Sequence, residues 1–158
     1  MNRTFLKTPL GNAILEGDKS GISKLLLTEE AAESSTSSAP ELQEAIEQLQ
    51  QYFSGERKEF DLKLNPQGTE FQKRVWQALQ NIPYGKTVSY MDLAKNLGDP
   101  LAIRAVAAAN GKNPLWIIIP CHRVIGSNGN LTGYAGGLWR KKWLLDHEQP
   151  HKQQSLFQ

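Results

Sequence analysis

Three stretches near the N-terminus alternate apolar and polar positions, with turn residues between them: TFLKT, NAILEG and GISKLLLT, separated by Pro9-Leu10-Gly11 and by Asp18 to Gly21. A period of two places the apolar side chains on one face of a strand, so the three predict an antiparallel meander. The serine-rich AAESSTSSAP reads as a flexible connection. Pro40 then opens a helix whose apolar residues Leu42, Ala45, Ile46, Leu49 and Phe53 follow helical spacing, with Gly55 as its stop. Arg57 to Leu64 predicts a further strand, and Asn65-Pro66-Gln67-Gly68 a domain boundary.

Beyond that boundary the period changes to that of helices. One begins near Thr69, with Phe71, Val75, Trp76 and Leu79 on its apolar face, and Pro83-Tyr84-Gly85-Lys86 ends it. In SYMDLAKNLG, Ser89 is placed to cap a helix with Asp92 three residues on, and Gly98 to stop it. DPLAIRAVAAANG repeats the logic with Asp99 as cap and Pro100 in the first turn, so the pair predicts a helix-turn-helix. The second helix carries little bulk: Ala102, Ala105, Ala107, Ala108, Ala109 and Gly111 surround the charge of Arg104. Such a helix either packs closely on a neighbour or presses its backbone into a groove. In WIIIPCHRVIG the β-branched run predicts a buried strand that Pro120 stops, with Cys121 at its end. The whole reads as an α/β protein: a small strand-rich N-terminal domain over residues 1–65, a mainly helical domain over 66–150, and a tail over 151–158.

Composition narrows the classes. At 158 residues, 39% hydrophobic and 22% charged, the chain suits one ordinary domain or two small ones. No apolar run reaches membrane-spanning length, and MNRTFLKTPLGN has neither a long apolar core nor a small-residue cleavage site, so a cytoplasmic protein with no membrane partner is expected. The net charge of +2 conceals an asymmetry: acids exceed bases by about four through Asn65, and bases exceed acids by about five from Pro66 to Pro150. A polyanion would meet the second half.

The single cysteine excludes an internal disulfide and a multi-cysteine zinc cluster, leaving either a buried inert thiol or a reactive one. A free thiol with a pKa near 8.5 is only about 3% ionised at pH 7, so a nucleophilic cysteine needs a base or a positive field beside it. His122 and Arg123 follow Cys121 directly.

From about Phe71 to Glu148 the chain resembles the O6-alkylguanine-DNA alkyltransferase family, through SYMDLA, RAV, Asn113-Pro114, IPCHRV, GYAGGL and WLLDHE in that order. The N-terminal part is compatible with the family's variable α/β domain. The resemblance implies a winged helix-turn-helix domain that carries the active site. It further implies irreversible, single-turnover transfer of the alkyl group from O6-alkylguanine, and from O4-alkylthymine, to Cys121. His122 would act on the thiol through a bound water, Glu148 would orient His122, and Asn113 would hold the active-site turn and contact the base. Tyr90 would donate to the leaving guanine. Tyr134, Ala135 and Gly136 belong to the loop that closes over the flipped base, with Lys141 near the same wall and Trp116 beside the alkyl groove. On DNA, Arg104 would fill the gap left by the flipped nucleotide, Ala105, Ala108 and Ala109 would allow minor-groove approach, and Arg123 would add to the basic surface. Double-stranded DNA is the implied partner, to a monomer with no cofactor and no obligate protein partner.

Two departures from the family pattern matter. No cysteine precedes Cys121 and no histidine precedes His122, so the structural zinc of some relatives is not expected. Trp116 stands where relatives more often carry a small residue or proline, which implies exclusion of large alkyl groups. Three other readings remain: a non-transferring alkyltransferase-like lesion binder, which would carry tryptophan at the acceptor position; a helix-turn-helix regulator; and a Cys-His hydrolase.

Overall fold

The computed structural model describes residues 2–29, 39–126, 134 and 136–149. The chain separates into two compact units: Met1–Gly68 with Pro114–Ile118, and Thr69–Asn113 with Ile119–Gln158. Most of the serine-rich connection and all of the 151–158 tail lie outside the described residues.

In the first unit the meander forms as expected. Strands β1 (Asn2–Thr8), β2 (Gly11–Asp18) and β3 (Gly21–Leu27) pair antiparallel in that order. Alternation sends Leu6, Ala13, Leu15 and Leu25 inward, where helix α1 (Pro40–Phe53) covers them with Leu42, Ala45, Leu49 and Tyr52. Gln48 is buried among these apolar groups because its carboxamide brackets one residue of backbone: Nε2 donates to the Asp61 carbonyl at 3.1 Å, and the Asp61 amide donates to Oε1 at 2.9 Å. That bracket supplies to the 57–64 segment bonds that a sheet neighbour would otherwise make. No strand forms there, only a single parallel bridge between Ile22 and Leu64. A second bridge, Leu25 to Leu115, brings Pro114–Ile118 against the same edge, so two short pieces of chain cover β3.

The strand expected at Trp116 to Ile119 does not exist. After the Leu115 bridge the chain turns tightly: the Ile118 amide donates to the Trp116 carbonyl at 2.8 Å, and Ile117 between them sits at φ +72°. A β-branched residue in the left-handed region is strained, and with this hydrogen bond it makes a three-residue γ-turn of the rare hand. The apolar run is buried, as its composition demands, but it is buried as a turn.

The second unit contains α2 (Glu70–Leu79), the two-residue strand β4 (Val88–Ser89), α3 (Tyr90–Asn96), α4 (Ile103–Gly111), β5 (Val124–Ile125) and α5 (Leu138–His147). The Ser89–Asp92 capping box is present, with the Asp92 amide donating to Ser89 Oγ at 2.9 Å. A second box at Thr69 and Gln72, which the sequence reading passed over, starts α2. Asp99 accepts from the Leu101 amide at 3.1 Å and caps a single 3₁₀ turn, Pro100–Ala102, that leads into α4. Thus α3, the turn and α4 form the helix-turn-helix, and parallel pairing of β4 with β5 ties its entry to the segment after Cys121. No helix among the described residues is long and apolar enough to cross a membrane.

Trp76 joins α2 to α4. Its ring is buried and its Nε1–H donates to the Ala109 carbonyl at 2.8 Å. Trp76→Ala is expected to cost about 3–5 kcal/mol of unfolding free energy from the cavity alone. Trp76→Phe keeps much of the volume and loses one hydrogen bond to a carbonyl that still accepts from the Lys112 amide at 3.1 Å, and should cost about 0.5–1.5 kcal/mol. Urea denaturation of the two variants reads both values.

Candidate active site

Pro120 redirects the chain at the site. The Cys121 amide donates back to the Ile119 carbonyl at 2.8 Å, and Cys121–Arg123 then forms one 3₁₀ turn before β5. This places Cys121 at the head of the turn, with only 6% of its surface exposed. Asn113 buttresses the bend, its Nδ2 donating to the Ile119 carbonyl at 2.7 Å.

His122 and Glu148 are both fully buried, 0% exposed. A Glu148 oxygen lies 2.8 Å from His122 Nε2. An ionised carboxylate has no proton to give, so Nε2 carries the hydrogen and Nδ1 is left as an acceptor. Arg123 holds the same carboxylate from its other side in a bidentate pair, Nε to Oε1 at 2.8 Å and Nη2 to Oε2 at 2.9 Å, while Nη1 donates to the Ile82 carbonyl at 2.7 Å. The turn at Tyr84 and Gly85 is drawn to the same place: Gln149 Nε2 donates to the Gly85 carbonyl at 3.0 Å. Gly85 has φ +79°, and a Cβ there would meet the Glu148 carbonyl oxygen at 2.9 Å, so only glycine fits.

Burial and charge set the protonation states in opposing ways. Burial pushes the Cys121 thiol up to about 11, opposed in part by a hydrogen bond from Asn113 and by the charge of Lys141. Burial likewise lowers His122 below its ordinary value, against the pull of Glu148. For Glu148, burial raises the pKa, but the hydrogen bonds and charges of His122 and Arg123 outweigh it and hold the carboxyl well below the usual range. Lys141, buried on α5, is lowered by burial to about 8, with attraction to Cys121 acting the other way. The resting site is therefore a neutral thiol beside a neutral imidazole, with a permanent carboxylate behind the imidazole.

Cys121, His122, Glu148, Asn113 and Lys141 lie together, and the Lys141 ammonium is 5.9 Å from the centre of the Tyr90 ring at the start of α3. The Gly137 amide donates to the Tyr134 carbonyl, and Arg140 Nη1 donates to the Gly136 carbonyl at 2.7 Å, which anchors that end of the loop to α5. Ala135 lies outside the described residues. Trp116 belongs to the first unit, where it is buried and its amide donates to the Leu25 carbonyl. On α4, Arg104, Ala105 and Ala108 are exposed.

Two expectations need correction. Ala109 faces inward, at 3% exposure, under Trp76, and offers nothing to an external groove. Arg123 is buried and spends its guanidinium on Glu148 and Ile82, so it is an internal anchor and not part of a basic surface. Asn110, on the inward face of α4, is not among the residues expected from the sequence, and its Nδ2 donates to the Cys121 carbonyl at 3.5 Å. A polar residue within a stripe of alanines was its only signal.

Known proteins match this chain over most of its length. Residues 1–66 match the family model described as 6-O-methylguanine DNA methyltransferase, ribonuclease-like domain, and residues 70–150 that described as 6-O-methylguanine DNA methyltransferase, DNA binding domain. The chain is 48% identical over 153 residues to the methylated-DNA--protein-cysteine methyltransferase of Methanosarcina acetivorans, covering 94% of this chain and 98% of that protein. It is 46% identical over 155 residues to the constitutive methylated-DNA--protein-cysteine methyltransferase of Bacillus subtilis, covering 92% and 94%. The crystal structure of Mycobacterium tuberculosis OGT in complex with DNA matches with a TM-score of 0.85 at 45% identity, covering 94% of this chain and 93% of that one.

The anchoring role of Arg123 is open to measurement. Arg123→Met removes the cation and leaves the buried carboxylate with His122 and a long hydrogen bond from the Gly85 amide at 3.5 Å, a loss expected to cost about 3–5 kcal/mol. Chemical denaturation at pH 7 should show it. A cost below about 1 kcal/mol would place Arg123 with the solvated ion pairs.

Proposed function

Since the chain belongs to the 6-O-methylguanine DNA methyltransferase family, we propose that it repairs O6-alkylguanine in double-stranded DNA by moving the alkyl group to Cys121, once per molecule. The observation that carries this reading is the sole cysteine of the chain standing next to a buried histidine whose Nε2–H is committed to a buried carboxylate at 2.8 Å. That arrangement leaves Nδ1 as a base for the thiol and stabilises the imidazolium once formed.

In the reaction, the Cys121 proton passes through a bound water to His122 Nδ1, and the positive charge that appears there faces Glu148. The sulfur pair attacks the alkyl carbon, and the carbon–oxygen bond breaks with its electrons moving to guanine O6. Tyr90 donates a hydrogen bond to the leaving base, and a proton from solvent completes the guanine. The Lys141 ammonium lowers the cost of the thiolate while it lasts. A thioether has no group in this site that could cleave it, so the protein is consumed. O4-alkylthymine presents the same kind of carbon to the same sulfur.

The alkylated atom lies inside the base stack, so the nucleotide must leave the duplex to reach a thiol this deeply buried. The exposed face of α4 suits the surface from which it leaves. Arg104 is placed to occupy the gap, while Ala105 and Ala108 allow the helix to approach without reading sequence. The protein acts as a cytoplasmic monomer on DNA without an obligate protein partner. Cys121 also disfavours the lesion-binding reading, in which this position would be tryptophan.

Incubation with duplex DNA carrying O6-methylguanine should add one CH2 unit to the intact protein, located on Cys121, and repaired guanine should plateau at one equivalent. Cys121→Ser should bind the same DNA and gain no mass, because a hydroxyl is too weak an acid for an imidazole to activate. Continued turnover past one equivalent would sink the mechanism. Arg104→Ala should slow repair of a base-paired lesion by about tenfold or more, since flipping costs a few kcal/mol, and should spare reaction with the free modified base. Equal losses on both substrates would make Arg104 an ordinary phosphate contact.

A further inference from the structure

Two buried polar atoms beside Cys121 have no hydrogen-bond partner among the described residues: His122 Nδ1 and Asn110 Oδ1. Buried polar groups are nearly always paired, with protein or with an ordered water, and because Asn110 contacts the peptide that carries His122, the two atoms call for a common explanation. Both are acceptors. His122 Nδ1 is unprotonated because Nε2 holds the hydrogen that Glu148 receives. Asn110 is oriented by the Cys121 carbonyl, which can only accept, so Nδ2 faces that carbonyl and Oδ1 points elsewhere. The carbonyl in question belongs to the peptide that joins Cys121 to His122, so both acceptors flank the same peptide.

A water has two hydrogens to give and can accept one from a thiol. We propose that Asn110 is a positioning residue that binds the relay water of the reaction: the water donates one hydrogen to Asn110 Oδ1 and the other to His122 Nδ1, leaving its lone pair turned to the Cys121 S–H. The inference rests on the alkyl-transfer reading above and extends it. Without Asn110 a water at Nδ1 turns freely, and only a fraction of its orientations accept the thiol proton. With it, a single orientation satisfies every donor and acceptor. When transfer starts, the thiol proton moves to the water oxygen and the hydrogen facing Nδ1 moves onto it, so the water is regenerated while sulfur keeps the electron pair. The hydrogen on Asn110 Oδ1 takes no part.

The bond from Nδ2 to the Cys121 carbonyl is long, at 3.5 Å, and that carbonyl also accepts from the Val124 amide. Losing it therefore leaves no orphan. The service of the carboxamide is to hold Oδ1 in place. It also puts the two halves of the task on one helix, because Arg104, Ala105 and Ala108 occupy the outer face of α4 while Asn110 occupies the inner one. The charged groups around the water are those already described, Glu148 and Arg123 behind His122 and Lys141 on α5, and none of them changes in the variants below.

Asn110→Leu keeps the shape and removes the acceptor. Single-turnover transfer from O6-methylguanine duplex should slow by about tenfold at pH 7, with the affinity for undamaged duplex unchanged. The gap from wild type should close as pH rises toward 9.5, because hydroxide then removes the thiol proton without the relay. The shape-matched pair Asn110→Thr and Asn110→Val, differing by one hydroxyl, should reproduce the pattern with Thr the faster at pH 7, whether or not Leu is accommodated. A Leu variant at the wild-type rate, a Leu variant slowed equally at every pH, or Thr and Val variants at equal rates would each overturn the proposal. A wild-type chain that gains no mass on Cys121 would instead overturn the transfer reading itself, and this inference with it.

Discussion

A carboxylate without access to water stays ionised only where cations and hydrogen-bond donors replace its hydration, and Glu148 is such a group. It lies just past the C-terminal end of α5, yet it collects the bidentate guanidinium of Arg123 and the Nε2–H of His122. The other anchors depend on that one. Arg123 can reach Ile82 only while it is held there, the Gly85 turn closes against the Glu148 backbone, and the tautomer of His122 is dictated by which of its nitrogens faces the anion. Because the three polar residues are consecutive or adjacent in space, the ion pair that holds the end of α5 in place also fixes the tautomer of the imidazole beside the thiol.

The protonation pattern follows from depth. A surface thiol would titrate near its ordinary value, but burial raises Cys121, and the same burial lowers His122. The site thus keeps Cys121 as a neutral thiol at rest, which in the proposed reaction protects a group that works only once. In the proposed mechanism activation depends on geometry that delivers a proton from sulfur to imidazole and on the nearby Lys141 charge, not on a standing thiolate.

The two faces of α4 differ little in side-chain volume. Val106, Ala109 and Asn110 face inward, against Trp76 and the Cys121 turn, and Arg104, Ala105 and Ala108 face out. Small residues serve both sides: inside they let a helix sit within hydrogen-bonding reach of the Cys121 turn, and outside they leave the backbone open to the close groove approach proposed above.

Local spacing by itself determined the meander, α1, the capped helix-turn-helix and the chemical centre at Pro120 to Arg123. Strand alternation, a capping box and a reactive cysteine motif are each written by residues within a few positions of one another, and the physics that reads them is equally short in range. Tertiary structure decided the rest. The pull of Glu148 on Arg123 spans 25 residues and turned an expected surface cation into a buried anchor. The bond from Trp76 to Ala109 spans 33 and chose which alanines of α4 face inward, a choice that alanine, indifferent to either side, does not express. The apolar run before Pro120 specified burial but not shape, since β-branched residues are buried equally well in a strand or in the turn that Ile117 makes at φ +72°. Asn110 shows the same limit most directly: its contact with the Cys121 carbonyl, beside the peptide that carries His122, exists only once the chain has folded.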